Sequence, residues 1–449
     1  MSDQNVGEGN FPDSAPVSIE QANGVITIVL TADNHLGYAA PGQGPRKREE
    51  RKQRLRHAFQ QATDFAIGQG VDLFIQAGDL FDTTNPDEQD RSFVAARLAQ
   101  LRQAGVRTFA LGGVHDTPTE SGGSGGRVAP SPQISYARLG ALHYFPPQPV
   151  RSTEEDTSAY KPAILDIRGT LVGIAGVGVL PGYEGDPLAH LHIESEIERA
   201  AIRMLILHAP IEGLVTYSSS LDTHAQVRQS SIEQLSIFRY ILAGYHHAYR
   251  RLQVGQTDVV VAGATQYVDF NDSTDDPGFV FLGVASDGLR WCRHIGIDTL
   301  QLHRLIIQTT ELWPDGPESD GIASTETVLE RLRPLCATDA LVHLRFEGEV
   351  TRGQYHQLDL NQVRRFGEEH SFALFIDDSA LSFVTEQQAI SLETSERFSP
   401  REELVAVADE WIAVAQDEQE RKALMITKEE LLAALDGVRY PASRGGSLH

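Results

Sequence analysis

The chain has 449 residues, 41% hydrophobic and 22% charged, which is enough for two or three globular domains. Its formal net charge of −24 excludes a protein coated in basic surface for nucleic acid, although a local basic patch remains compatible with it. No apolar run approaches the roughly 20 residues of a membrane span, and the two cysteines, Cys292 and Cys336, lie far apart without metal-ligand spacing.

In chain order, residues 1–23 are polar and without periodicity, so a disordered extension is expected. They lack a basic stretch followed by an apolar one, and with so few cysteines a reducing cytoplasm is the expected location. Apolar runs at Val25–Thr31, Val71–Ala77 and Val106–Leu111 read as buried strands. Between them, Gln53–Gln69 and Arg91–Gln103 carry apolar residues at helical spacing, and this βαβα order predicts a mainly parallel sheet covered by helices. A basic cluster, Arg46-Lys47-Arg48, Arg51-Lys52, Arg54 and Arg56, has two readings: a phosphate-facing patch, or a solvated helix face laced with Glu49 and Glu50. Arg250-Arg251 form a smaller one. Residues 121–126, Ser-Gly-Gly-Ser-Gly-Gly, read as a flexible loop.

Further strands are expected at Ala163–Ile167, Leu171–Val177, Asp258–Ala262 and Phe279–Val284. Fewer helices separate them, which suggests a second, more antiparallel sheet packed on the first. From about Gln301 the strands Leu302–Thr309, Ala340–Phe346 and Phe372–Ile376, with a helix near Thr325–Arg333, predict a small α+β module over 301–392. A helix pair over 393–440 is marked by capping signatures at Ser399-Pro400-Arg401-Glu402 and Thr427-Lys428-Glu429-Glu430, with Gly437 as a stop. Its apolar stripes either pack on their own domain or dock on another protein. Residues 441–449 read as a flexible tail.

Chemistry collects at five strand ends. Val25–Thr31 leads to Asp33 and His35, Val71–Ala77 to Asp79, and Val106–Leu111 to Val114, His115 and Asp116; Arg203–Leu207 leads to His208, and Arg239–Ala243 to Gly244-Tyr245-His246-His247. In open α/β sheets ligands gather outside the carboxyl ends of strands, so these residues are expected to converge on one edge of one sheet. Asp79 follows Gly78 in a sharp turn, where its two oxygens could bridge two ions. Carboxylates with imidazoles suit manganese, iron or zinc better than calcium.

With these residues the sequence resembles the calcineurin-like metallophosphoesterases, and within them the SbcD and Mre-type double-strand-break nucleases. The resemblance rests on Asp33-x-His35, Ala77-Gly78-Asp79-Leu80-Phe81-Asp82, Gly113-Val114-His115-Asp116-Thr117-Pro118, Leu207-His208-Ala209-Pro210 and Tyr240–His247. Gly263-Ala264-Thr265-Gln266 with Asp269-Phe270 is similar to the family's Pro-Gly-Ser segment. It implies a two-sheet metallophosphoesterase sandwich over 24–300, flanked by helices, a DNA-capping domain over 301–392 and an ATPase-binding helical motif over 393–440.

The resemblance further implies that Asp33, His35, Asp79 and His247 hold a first metal, with Asp79 bridging to a second held also by His208. The family's Asn and His ligands to that second metal are here Val114 and Tyr245. Val has no donor atom and neutral Tyr is a poor ligand. His246 is a candidate substitute, although that position normally points away. His115 would assist the leaving oxygen and Asp116 would orient it, while metal-activated water attacks a phosphodiester in line. Manganese is the expected metal, as one or two ions, with magnesium, iron or zinc as alternatives.

Three functions remain open at the level of sequence. One is a manganese-dependent nuclease subunit acting on DNA ends with an SbcC-like coiled-coil ATPase, as a homodimer, with reduced or altered activity. The second is a catalytically weakened DNA-end-binding or scaffold subunit. The third is a small-molecule or nucleotide phosphodiesterase, against which the module after Gln301 and the terminal helices argue.

Overall fold

The computed structural model describes residues 24–39, 44–118, 130–147, 160–179, 183, 185–189, 191–214, 225–268, 276–314 and 325–384, with isolated positions between 405 and 432. The chain divides into two compact units, residues 1–384 and 385–449. Among the described residues, the first unit carries fifteen strands: β1 (Ile26–Thr31), β2 (Leu73–Ala77), β3 (Arg107–Leu111), β4 (His143–Phe145), β5 (Ala163–Ile167), β6 (Thr170–Val177), β7 (Ile202–Leu207), β8 (Tyr240–Ala243), β9 (Arg250–Val254), β10 (Thr257–Val261), β11 (Gly278–Ala285), β12 (Gly288–Gly296), β13 (Gln301–Gln308), β14 (Ala340–Val350) and β15 (Ala373–Phe383). Its helices are α1 (Pro45–Gln69), α2 (Glu88–Gln103), α3 (Ile134–Arg138), α4 (Gln229–Gln234), α5 (Thr309–Leu312), α6 (Thr325–Leu332), α7 (Arg352–Gln357) and α8 (Leu360–His370).

Two six-stranded sheets face each other. The first runs β12-β11-β1-β2-β3-β4 and the second β5-β6-β7-β8-β10-β9. Strict alternation along each strand explains why the apolar runs are continuous: both sheet faces are buried. Ile28 and Leu30 of β1, Leu73 and Ile75 of β2, and Met204 and Ile206 of β7 point into the space between the sheets. Val29 and Phe74 point the other way, against Leu55, Phe59, Val94 and Leu98 of α1 and α2. On the far side of the second sheet, Leu205, Leu207, Ile241 and Val259 pack with Ile197 and Ile232.

The expected α/β sandwich is therefore present, with three corrections. Pairing in the second sheet is parallel from β6 through β7 and β8 to β10, and antiparallel only at its edges, β5 and β9. Strand β11, expected in that sheet, instead lies antiparallel beside β1 in the first. The five ligand-bearing strands also split between the sheets, β1, β2 and β3 in one and β7 and β8 in the other, so the convergence lies across two sheet edges rather than along one.

After β12 comes a small α+β module, a parallel sheet in the order β13-β14-β15. Leu305, Ile307, Val342, Leu344 and Phe346 cover one face with Val328, Leu329 and Leu332 of α6 and Val363 of α8. Phe372 and Leu341 meet Tyr267 and Leu300, joining this sheet to the sandwich.

That junction also answers the question of the basic cluster. Lys47 Nζ donates to the carbonyls of Glu368 (2.7 Å) and Ser371 (2.9 Å), at the carboxyl end of α8, where a cation is favoured. Arg54 lies over the Phe372 ring, 5.6 Å from its centroid, and pairs with Glu50. Arg56 pairs with buried Asp90, Lys52 with Asp87, and Arg51 is buried over Tyr38. These cations are spent on the protein's own carboxylates, carbonyls and rings, so the structural reading replaces the phosphate-facing one for these four and for Lys47. Lys47→Met is expected to lower stability by about 1 kcal/mol in urea unfolding; an unchanged midpoint would mean the cap contributes nothing.

Of the second unit's expected caps, Ser399 lies outside the described residues. Thr427 is itself helical, while Glu429, Glu430 and Gly437 lie outside the described residues. Among the described residues no helix is long and apolar enough to cross a membrane.

Candidate metal centre

The site is built from two loops laid side by side. Beyond β1, the N–H groups of Asp33, Asn34, His35 and Leu36 donate to the carbonyls of Gly78, Asp79, Asp79 and Leu80 beyond β2, all at 2.9–3.1 Å. This zipper holds Asp33, His35 and Asp79 against each other. Left-handed backbone is the conformational signature of the place. Five non-glycine residues have clearly positive φ among those described, and four are here: Asp33 (47°), His35 (44°), Asp79 (51°) and Tyr245 (80°). Such conformations cost on the order of 1–3 kcal/mol each and persist where the surroundings over-determine them.

Asp79 is the hub. Its Oδ1 accepts the N–H of His115 at 2.8 Å. Its Oδ2 stands 3.3 Å from His208 Nε2 and 3.9 Å from His35 Nε2. Both imidazoles are held from behind. His35 Nδ1 meets Asp82 Oδ1 at 3.0 Å, and His208 Nδ1 meets the Ala77 carbonyl at 2.8 Å. With a proton held on each Nδ1, each Nε2 can offer its lone pair to a cation that displaces the second proton, and both Nε2 atoms are buried without a hydrogen-bond partner. Two buried lone pairs aimed at one carboxylate is the arrangement a metal-binding histidine pair requires, with outer partners fixing tautomer and ring.

Three overlapping groups place one ligand atom per residue within 4.8 Å of each other: Asp33, His35 and His247; His35, Asp79 and His115; and Asp33, Asp79 and His208. The residues present therefore fit a divalent cation. The charges point the same way. Burial alone would lower the His208 pKa, but Asp79 and Asp33 raise it to about 9. Burial would raise Asp79, but His208 and the neighbouring imidazoles hold it below the usual carboxylate range. Burial pushes Asp33 up. A positive charge is what this carboxylate pair calls for.

Every expected ligand position, Asp33, His35, Asp79, His208 and His247, is in the cluster. His115, expected only near the phosphate, belongs to a donor group as well. His246 does not join it. Its Nε2 accepts the Ile211 N–H at 3.0 Å, in the segment beyond β7, and the ring is buried there. Tyr245 donates its N–H to Asp33 Oδ2 at 3.0 Å, and its ring meets His208 edge-on at 5.6 Å. Val114 is half-buried in the turn before His115.

Asp116 also differs from expectation. Its Oδ2 accepts the N–H groups of Leu80 (2.9 Å) and Phe81 (3.2 Å) and the Gln133 amide, and Oδ1 accepts Gly113 N–H (2.8 Å). It braces the Asp79 turn. The carboxylate beside His115 is Asp82, whose Oδ1 is 3.6 Å from His115 Nδ1. Burial and the charge of Asp79 push Asp116 up to about 7 against its N–H donors. Sequence reasoning gave no role to Asp82, although it ends the quoted Gly-Asp-Leu-Phe-Asp string; its spacing from Asp79 was the available signal.

A two-sheet α/β sandwich with aspartates and histidines at the strand ends defines the class, a metallophosphoesterase fold. The family model for calcineurin-like phosphoesterases matches residues 26–262, more than half of the chain, and the chain belongs to that family. It is similar to proteins called DNA double-strand break repair protein Mre11. The one from Halobacterium salinarum is 24% identical over 374 residues, 82% of this chain and 81% of the relative. The one from Thermoplasma acidophilum is 25% identical over 244 residues, and the match spans 54% of this chain and 56% of that relative's length. The one from Sulfurisphaera tokodaii is 32% identical over 53% of each chain. Among solved structures, a dimetal phosphatase from Danio rerio aligns with a TM-score of 0.35 at 11% identity, covering 61% of this chain and 99% of that one.

Proposed function

We propose that this chain is a metal-dependent phosphodiesterase acting on DNA ends, with activity reduced or altered at its second metal position. The observation that carries the reading is the pair of buried imidazole lone pairs, His35 Nε2 and His208 Nε2, converging on Asp79. Asp33, His35, Asp79 and His247 would hold one ion, manganese in this reading, and His208 would face a second from Asp79. A divalent cation there would supply Lewis-acid activation of water and charge neutralisation of the phosphate.

The protein's own residues do the rest. Asp79 is fixed through Oδ1 by the His115 N–H, leaving Oδ2 toward the imidazoles. His115, with a side chain about one-third exposed, is accessible to a phosphate ester and is steadied by Asp82. Val114 offers a hydrocarbon, and Tyr245 a phenol, where the second ion would find an amide and an imidazole in the resembling family. The names of the relatives, DNA double-strand break repair proteins, support DNA ends as substrate; an SbcC-like coiled-coil ATPase and a second copy of the chain are the partners that the resemblance of the motifs implies. A chain of net charge −24, with five of its α1 cations (Lys47, Arg51, Lys52, Arg54 and Arg56) engaged internally, suits a partner that supplies the phosphate-binding surface. The second reading, a weakened end-binding or scaffold subunit, is favoured by the same Val114 and Tyr245.

The deciding experiment is a manganese-dependent nuclease assay on linear DNA for the wild-type chain and the Val114→Asn/Tyr245→His double variant. If the second position is the only defect, the double variant should cleave at least about tenfold faster, the scale of restoring a metal's share of transition-state stabilisation. Vigorous cleavage by the wild type, unchanged in the variant, would sink the reduced-activity reading. No cleavage by either would favour the scaffold.

A further inference from the structure

We propose that Gln76 and Asn34 are positioning residues for the metal centre, acting as one buried amide relay that locks the two ligand loops in register. The inference rests on the metal-centre reading above and deepens it.

Gln76 is an anomaly in its strand. β2 reads Leu-Phe-Ile-Gln-Ala and every residue of it is buried, so a carboxamide stands where its neighbours are all apolar. A buried amide is costly unless its hydrogen bonds are made. Those of Gln76 are made to the site. Its Nε2 donates to the Gly78 carbonyl at 2.7 Å and to Asn34 Oδ1 at 3.3 Å, and its Oε1 accepts the Gly78 N–H at 3.3 Å. One side chain thus brackets both polar atoms of the residue before Asp79.

Asn34 completes the relay from the opposite loop. It lies between Asp33 and His35, both in left-handed backbone, and is fully buried. Its Nδ2 donates to Thr31 Oγ1 at 2.8 Å and to Thr265 Oγ1 at 3.3 Å. Thr265 follows β10 of the second sheet, so the relay ties the turn after β2, the loop after β1 and the second sheet together. Three donor residues, Asp33, His35 and Asp79, each adjoin a residue in this network. Neither amide faces the cluster itself; both act through the backbone that aims the ligands.

The test compares manganese affinity by calorimetry with the thermal stability of the metal-free protein for the full chain. Gln76→Leu and Asn34→Ala are each expected to weaken manganese binding by about 10–100-fold, the usual cost of losing a residue that orients metal ligands. The double variant should lose less than the two single losses added together, because the Gln76–Asn34 contact is shared between them. Leu329→Ala, in the core of the third sheet, is the control: it should lower thermal stability and leave manganese affinity unchanged. Should Gln76→Leu fail to fold, Asn34→Ala reads the same relay from the other side. Wild-type manganese affinity in Gln76→Leu or Asn34→Ala would overturn the inference alone. A wild-type chain that binds no manganese would overturn the metal-centre reading and the inference with it.

Discussion

Alanine at Gly113 is expected to weaken metal binding by about 10–100-fold while leaving the sandwich folded. A Cβ at Gly113 would lie 2.2 Å from Asp79 Oδ1 and 2.4 Å from the Asp79 backbone nitrogen, distances that real side chains do not tolerate. Because the nearest obstacle includes backbone, relief requires the Asp79 turn itself to move, and displacement of metal-orienting groups costs on the order of 10–100-fold even when the ligands survive. Gly78 and Gly244 are under the same constraint, with a Cβ placed 2.1 Å from His208 Nδ1 and 2.3 Å from the Ala77 carbonyl. Gly68 in α1 meets nothing within 4 Å and is the control. Gly68→Ala should leave manganese affinity intact and stabilise the helix by up to about 1 kcal/mol. Equal manganese affinity in the Gly113 and Gly68 variants, measured by calorimetry, would show that the glycines do not set the ligand geometry.

Removing the Asp116 carboxylate is expected to cost about 3–5 kcal/mol of folding stability, the range for stripping one member from a buried, charged hydrogen-bonded set. Asp116→Ala orphans the N–H groups of Leu80, Phe81 and Gly113 together with the Gln133 amide, all in a fully buried place. Asp116→Asn keeps the shape and one acceptor and should cost less than half as much. The ordering is the informative part, since a residue that merely oriented His115 at the surface of the site would cost activity and little stability. Urea unfolding of the two variants separates these outcomes, and a loss below about 1 kcal/mol for Asp116→Ala would contradict the bracing role.

Much of this fold is legible in the sequence because its strands are buried on both faces. Val29 and Phe74 serve the helices while Ile28, Leu30 and Ile75 serve the space between the sheets, so the runs are apolar throughout and stand out. What runs cannot reveal is which sheet a strand joins. The pairing of β11 with β1 links Ile26 to Val284 across the length of the domain, a non-local contact with no local signature. The same limit explains why five strand ends were expected on one sheet edge and are found on two.

The candidate ligands are legible because imidazoles and carboxylates at strand ends are chemically conspicuous. Their supports are not. Gln76, Asp82 and Gly113 take their roles from partners in other loops, so even a local signal, an amide in an apolar strand or a carboxylate three residues from Asp79, does not reveal what each one holds. His246 and His247 are adjacent in sequence, yet His246 turns to the Ile211 N–H and His247 joins Asp33 and His35, a choice made by the left-handed backbone at Tyr245. The basic cluster misled for a related reason: charge in sequence says nothing about whether an acidic or carbonyl partner waits across an interface, as Glu368 and Ser371 do for Lys47.

The most direct test is a manganese titration by calorimetry, with metal content counted by mass spectrometry, on the wild-type chain and Asp79→Asn. One ion per chain in the wild type, weakened at least a hundredfold in Asp79→Asn, is the result the centre around Asp33, His35, Asp79 and His247 predicts. Absence of binding in the wild type, or binding that Asp79→Asn leaves unchanged, would contradict it.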